Sequence, residues 1–170
     1  MRNIGQRMKF MIIRDVRKEV STPKMPFAIG VMGIGGLKGD VNPPMSIFRK
    51  AMAAPAALPE FKGNLVAVRT APFWDDSLDE LHVRWDGTWQ KVDEKHKEGT
   101  KKNPHMSPAE DTEVLKKAMD EYFSPAEQKR LKGISHWDCH YHGCAKILAP
   151  IGKAFAEAMA NLQKPQGQVK

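Results

Sequence analysis

Three histidines, two cysteines and an aspartate fall within the twelve residues Ser135 to Lys146, "SHWDCHYHGCAK". Such a cluster is open to several chemistries. His136, Cys139, His140, His142 and Cys144 all carry side chains that ligate borderline and soft metal ions. Count favours a metal, but spacing does not. A structural zinc site usually closes its tetrahedron with two ligand pairs from separated segments, whereas these five lie in one nine-residue window. His82, His96 and His105 sit in polar stretches with no second ligand beside them. Cys139 and Cys144 can instead pair with one another, closing a short loop worth roughly 2 kcal/mol by loop entropy. A third chemistry is proton transfer. It needs a histidine on a loop held by a rigid scaffold, near a carboxylate that fixes its tautomer and stabilises the imidazolium. Asp138 stands two residues from His140, which would deprotonate a serine and later protonate the leaving alcohol. The plainest alternative is packing, with Trp137, Tyr141 and the cysteines filling the loop and the histidines as polar surface. Ser21, Ser46, Ser77, Ser107, Ser124 and Ser135 all occupy helix-start or turn contexts, and none stands at a strand-to-helix elbow.

The segments around the cluster predict what must position it. Ile4, Met8, Met11, Ile12, Val16 and Val20 recur at three- and four-residue spacing, which predicts an amphipathic helix ending at "STPK". "MPFAIGVMGIGG" follows as a continuous apolar run, a strand buried on both faces that ends in a sharp glycine turn. "LKGDVNPP" reads as a loop, and "MSIFRKAMAAPAAL" as a second helix broken near Pro55. After the turn "PEFKG", "NLVAVRTAPFW" gives a second β-branched run. Strands alternating with helices predict an α/β layer of parallel strands, with sites beyond their carboxyl ends at "GIGG" and "APFWDD". From about Asp75 to Lys132 polar residues dominate. "HKEGTKKNPHMSPAED" reads there as an exposed connection, and "AEDTEVLKKAMDEYF" and "SPAEQKRLKG" as polar helices. "AKILAPIGKAFAEAMANL" puts Ile147, Ile151, Phe155, Ala158, Met159 and Leu162 on one helical face, and residues 163–170 form a flexible polar tail.

With 170 residues, 41% of them apolar and 28% charged, the composition is that of an ordinary globular domain. A formal charge of +7 admits an anionic partner, but the lysines are spread among glutamates and aspartates and no nucleic-acid motif accompanies them. The early run "MKFMII" is cut by "RDVRK", too short for a signal-peptide core or a membrane span. No nucleic-acid or membrane partner is expected.

"MPFAIGVMGIGG", "FRKAMAAPAALPEFKGNLVAVRTAPFWD" and "CHYHGCAKILAPIGKAFAEAM", in this order and at these distances, resemble the C-terminal half of carbohydrate esterases of the sialate O-acetylesterase type, members of the SGNH-hydrolase superfamily. The resemblance covers roughly Arg14 to Asp75 and Gly133 to Leu162; the polar stretch of about 76–132 resembles a lysine-rich insertion in some members. It implies one esterase domain over residues 1–162 with part of a three-layer, flavodoxin-like α/β fold. It further implies metal- and cofactor-free hydrolysis of acetyl esters of sugars by a serine that would precede the matched region, so that the chain alone would be inactive. The segment "H-Y-x-G-x-A" places the family's catalytic histidine on His140, with Asp138 as orienting carboxylate, one step nearer than the aspartate's usual place, which is Trp137 here. Gly33, Gly35 and Gly36 would shape the floor of the substrate pocket. Full-length members are often secreted or periplasmic.

Overall fold

The computed structural model describes residues 4–96 and 113–164. Mostly helical, it has one two-stranded parallel sheet and is α/β in class. Contacts divide the chain into two compact units, the first formed by residues up to Trp74 together with those from Ala149 onward, the second by Asp75–Leu148. The boundary at Asp75 falls where the sequence turns polar.

In the first unit, helix α1 (Ile4–Glu19) precedes strand β1 (Phe27–Val31), and helix α2 (Pro43–Ala53) leads to strand β2 (Leu65–Arg69). The strands pair in parallel with Phe27 opposite Leu65 and Val31 opposite Arg69, as the alternation of strand and helix predicts. Burial is less complete than the apolar runs suggest. Of the ten strand residues Val31, Leu65 and Val68 are buried, Arg69 is exposed and the others are half-buried. Helix α2 starts at Pro43, with Asn42 as N-cap accepting from Met45 N–H, and ends where Pro55 stands in a 3₁₀ turn. Ile13 of α1 joins Phe61 and Leu65 in the core, whereas Met11 and Ile12 are exposed. Arg17 is buried beside them. Its guanidinium donates to the Met25 and Asn64 carbonyls and Asn64 Oδ1 and stacks near the Phe27 and Phe61 rings; burial lowers its pKa.

The second unit keeps the two polar helices read in its segment and adds a long helix ahead of them. Helix α3 (Asp76–His96) is the longest element of the described structure. Leu78, Leu81, His82 and Trp85 follow one another at three-, one- and three-residue steps, a narrow stripe diluted by acidic neighbours, which is why composition hid it. Leu81 packs with Phe123, at the end of helix α4 (Glu113–Tyr122), and Leu131 of helix α5 (Pro125–Leu131); Trp85, Met119 and Ile134 flank them. A capping box of Ser124 and Glu127 starts α5. The Arg84 guanidinium, with Ser124, holds the Glu127 carboxyl down at about 2. Helix α6 (Ala145–Gln163) keeps the predicted face, with Ile147 buried and Ile151, Phe155, Ala158, Met159 and Leu162 half-buried. Predictions for residues 97–112 and for 165–170, the exposed connection and most of the tail, lie outside the described residues. No helix among the described residues is long and apolar enough to cross a membrane.

The turn after β1 is held by a residue the motif reading passed over. Arg49, 5% exposed, donates to the carbonyls of Ile34 (2.8 Å) and Gly36 (2.9 Å) and to Asp40 Oδ1 (2.8 Å). Asp40 also accepts from Arg69 at 2.6 Å, and its carboxyl lies below the usual range, the Arg49 hydrogen bond being the chief cause. Arg49→Met retains length and apolar volume but strips two turn carbonyls and a carboxylate of their donor. It should lower unfolding free energy by about 2–3 kcal/mol, measured as a shift in denaturant midpoint at unchanged slope.

Candidate functional site

The histidine cluster is built by a single strained turn in the second unit. Asp138–Gly143 forms a 3₁₀ turn interrupted at its end, where Tyr141 (φ 53°), His142 (φ 57°) and Gly143 (φ 57°) are all left-handed. For the two non-glycine residues this conformation costs roughly 1–2 kcal/mol each. A set of hydrogen bonds offsets it. The His142 carbonyl accepts from Ser135 N–H (2.9 Å) and His136 N–H (3.1 Å), and the Trp137 carbonyl accepts from His140 N–H (3.0 Å) and His142 N–H (2.9 Å). Ser135 Oγ closes the loop on the Gly143 carbonyl at 3.1 Å.

The turn sorts its histidines by environment. His142, expected as an incidental polar neighbour, is fully buried. Its Nε2 lies 3.2 Å from Asp79 Oδ1, and its ring tilts against that of His82, centroids 4.9 Å apart. His82, itself buried, has Nδ1 3.6 Å from Asp86 Oδ2, so Asp79, His82 and Asp86 line one face of α3. Burial first, then the neighbouring His82, lowers the His142 pKa, against the opposing pull of Asp79 and Asp138. The neutral imidazole is thus the buried form. His142 is an anchor that carries the turn into the interior.

His140 lies on the outside of the same turn, exposed to solvent. Its Nδ1 meets Nδ1 of the exposed His136 within hydrogen-bond distance, the rings edge-to-face with centroids 4.2 Å apart. Asp138, expected to orient His140, instead turns Oδ1 to the N–H of Cys139 at 2.6 Å. The partner seen at the His140 ring is therefore His136. Accessible and held by a backbone with little freedom, the His140 imidazole can exchange a proton with a bound reactant.

No family model, curated protein or solved structure matches this chain.

The same turn places the candidate metal ligands and the two thiols. His136, Cys139 and His140 are exposed while His142 and Cys144 are buried, so the five candidate ligands diverge. Among the described residues, no group of three or more His, Cys, Asp or Glu side chains is placed to hold a metal ion. Cys139 and Cys144 are both free thiols.

The three glycines expected at a pocket floor belong to the first unit, after β1. Each has a backbone reason to be glycine. A Cβ on Gly33 would press into Ala71 N, Thr70 C and Thr70 Oγ1; Gly36 (φ 59°) would bring its Cβ 3.0 Å from Trp74 Cδ1; Gly35 needs φ 74° but meets nothing. Thr70 Oγ1 donates to the Val31 carbonyl at 2.8 Å, tying the ends of both strands together. Beyond β2, Asp75 accepts from Ser77, Leu78 N–H and Arg130. Burial pushes its carboxyl up, but these donors outweigh it and leave it lowered.

Sequence reasoning missed Arg49, Asp40 and the trio that Asp79 and Asp86 form with His82, itself weighed only as a metal ligand. The trio had a signal, its helical spacing, which an expectation of helix over 76–96 would have exposed. Arg49 had none, since a lone arginine on a helix reads as solvated surface.

Proposed function

We propose that this chain supplies the proton-transferring half of an SGNH-type carbohydrate esterase with a three-layer α/β fold, one that removes O-acetyl groups from sugars. The observation that carries the reading is the strained turn, in which buried His142 anchors a backbone that presents His140 to solvent. Backbone strain of this kind concentrates at functional sites. Support also comes from the parallel β1–β2 pair, whose carboxyl ends carry the glycine turn and "APFWDD", and from the resemblance of the three blocks.

In the proposed reaction, His140 Nε2 takes the proton of a serine hydroxyl as the oxygen attacks the acetyl carbonyl, then passes it to the departing sugar oxygen. Water, deprotonated by the same imidazole, hydrolyses the acetyl-enzyme and returns the proton to the serine. That serine lies outside these 170 residues. Of the serines here, Ser46, Ser77, Ser124 and Ser135 commit their hydroxyls to helix starts and turn carbonyls.

Expressed together with the coding sequence upstream of Met1, the protein should hydrolyse a chromogenic acetyl ester and release acetate from acetylated sugars. His140→Ala should reduce kcat/KM by at least about 1,000-fold, while Cys139→Ser, on the same exposed turn, should leave it within about threefold. Full activity in the His140 variant, or an upstream frame without a strand ending in a "G-x-S" element, overturns the reading.

A further inference from the structure

His136 and His140 meet Nδ1 to Nδ1, and that contact constrains their protons. Two bare nitrogens at hydrogen-bond distance repel through their lone pairs, and two N–H groups collide. One proton between them is the stable count. Of the two arrangements, one leaves His140 with Nδ1–H and a bare Nε2; the other leaves it with Nε2–H and nothing to accept a proton on the side away from His136.

We propose that His140 donates Nδ1–H to His136 Nδ1, so that His136 is the positioning residue that keeps the His140 Nε2 lone pair free for proton abstraction. This direction is the one the proposed role of His140 requires, since a base needs a bare Nε2, and the local structure leaves His136 to fill it. Asp138 is turned to the Cys139 N–H, and no other side chain among the described residues hydrogen-bonds to the His140 ring, so the orienting role passes to the imidazole that touches it. Both backbones are fixed by the same turn: His136 N–H donates to the His142 carbonyl and His140 N–H to the Trp137 carbonyl. The ring contact therefore rests on two anchored main-chain positions. A neutral imidazole orients its partner as a carboxylate does, by accepting Nδ1–H before and after Nε2 is protonated, but adds no negative charge. When His140 takes up a proton at Nε2, its Nδ1–H stays with His136. No proton crosses between the rings.

The catalytic meaning of the pair rests on the proposed role of His140, but its tautomer is measurable without activity. Nitrogen-15 shifts and two-bond proton–nitrogen couplings of the 170-residue chain, recorded where both imidazoles are neutral, should show His140 protonated at Nδ1 and bare at Nε2. His136→Ala should move His140 towards the Nε2–H tautomer. His136→Gln, whose Oε1 can still accept, should keep it at Nδ1–H. In the active upstream-extended protein, His136→Ala should lower kcat about 10-fold or more with KM little changed, and His136→Gln should recover most of it. A wild-type His140 already protonated at Nε2, or the same tautomer in wild type and His136→Ala, overturns the pairing. An active His140→Ala enzyme would instead defeat the esterase reading and leave the tautomer result standing.

Discussion

Replacing Gly33 by alanine is expected to cost the first unit at least about 3 kcal/mol, and to leave much of the protein unfolded or aggregated at 37 °C. The cause is steric rather than conformational. Gly33 has no left-handed φ, but its missing Cβ is the space that lets the turn after β1 lie against the backbone of Thr70 and Ala71. Two of the groups in the way are main-chain atoms, which cannot rotate aside as a side chain does. Relief would require the strand ends to separate, breaking the bond from Thr70 Oγ1 to the Val31 carbonyl and that from Thr70 N–H to the same oxygen at 3.2 Å. Gly35→Ala is the control. It sits at φ 74° with open space around the new methyl, so it should cost only about 1–2 kcal/mol of backbone strain. Chemical denaturation of the two variants compares them directly. A Gly33→Ala midpoint equal to that of Gly35→Ala would show that the turn is not packed against Thr70 and Ala71.

His142→Ala is expected to destabilise the second unit by about 2–4 kcal/mol, because it empties a fully buried site and leaves Asp79 without its imidazole neighbour. The pH dependence identifies the cause. The folded pKa lies below the ordinary 6.5, so the folded chain resists a proton that the unfolded chain accepts. Stability from the neutral ring is full above about pH 6.5 and falls as pH drops through 6.5 towards the folded pKa, by no more than about 1.4 kcal/mol per pH unit. The carboxylates with lowered pKa values, Asp40, Asp75 and Glu127, lose their contribution at lower pH, between the ordinary carboxylate range and their folded values. The interval from pH 7 to about 5 therefore isolates histidine. His142→Asn, whose side chain tolerates a left-handed backbone, should retain the turn and flatten this slope. Wild type and His142→Asn with the same stability slope between pH 7 and 5 would show that the buried ring is not what resists protonation.

The α/β alternation was legible because each strand and helix of the first unit carries its own apolar pattern, and local pattern fixes local structure. The parallel β1–β2 pairing, the helix between the strands and the half-buried face of α6 agree with it. Helix α3 was not legible from composition: its buried stripe is narrow, and Leu78, Leu81 and Trp85 stand among Asp76, Asp79, Glu80, Arg84 and Asp86. The same limit governed the histidine cluster. Spacing brought six polar or sulfur-bearing side chains into one short segment, but not the direction in which each points.

By itself, the sequence determined which residues were available for chemistry, that two apolar runs would form strands, and that His140 would stand in a turn ahead of a packed helix. Only the tertiary structure decided that His142 goes inside against Asp79 and His82 while His140 stays out beside His136. It also decided that Asp138 Oδ1 accepts from the Cys139 N–H and that Arg49 is buried on the Ile34 and Gly36 carbonyls. The reason is physical. Helix and strand periodicity are set by neighbours a few residues apart, whereas the choice between solvent and interior for each histidine depends on three left-handed residues and on α3, some sixty residues earlier in the chain.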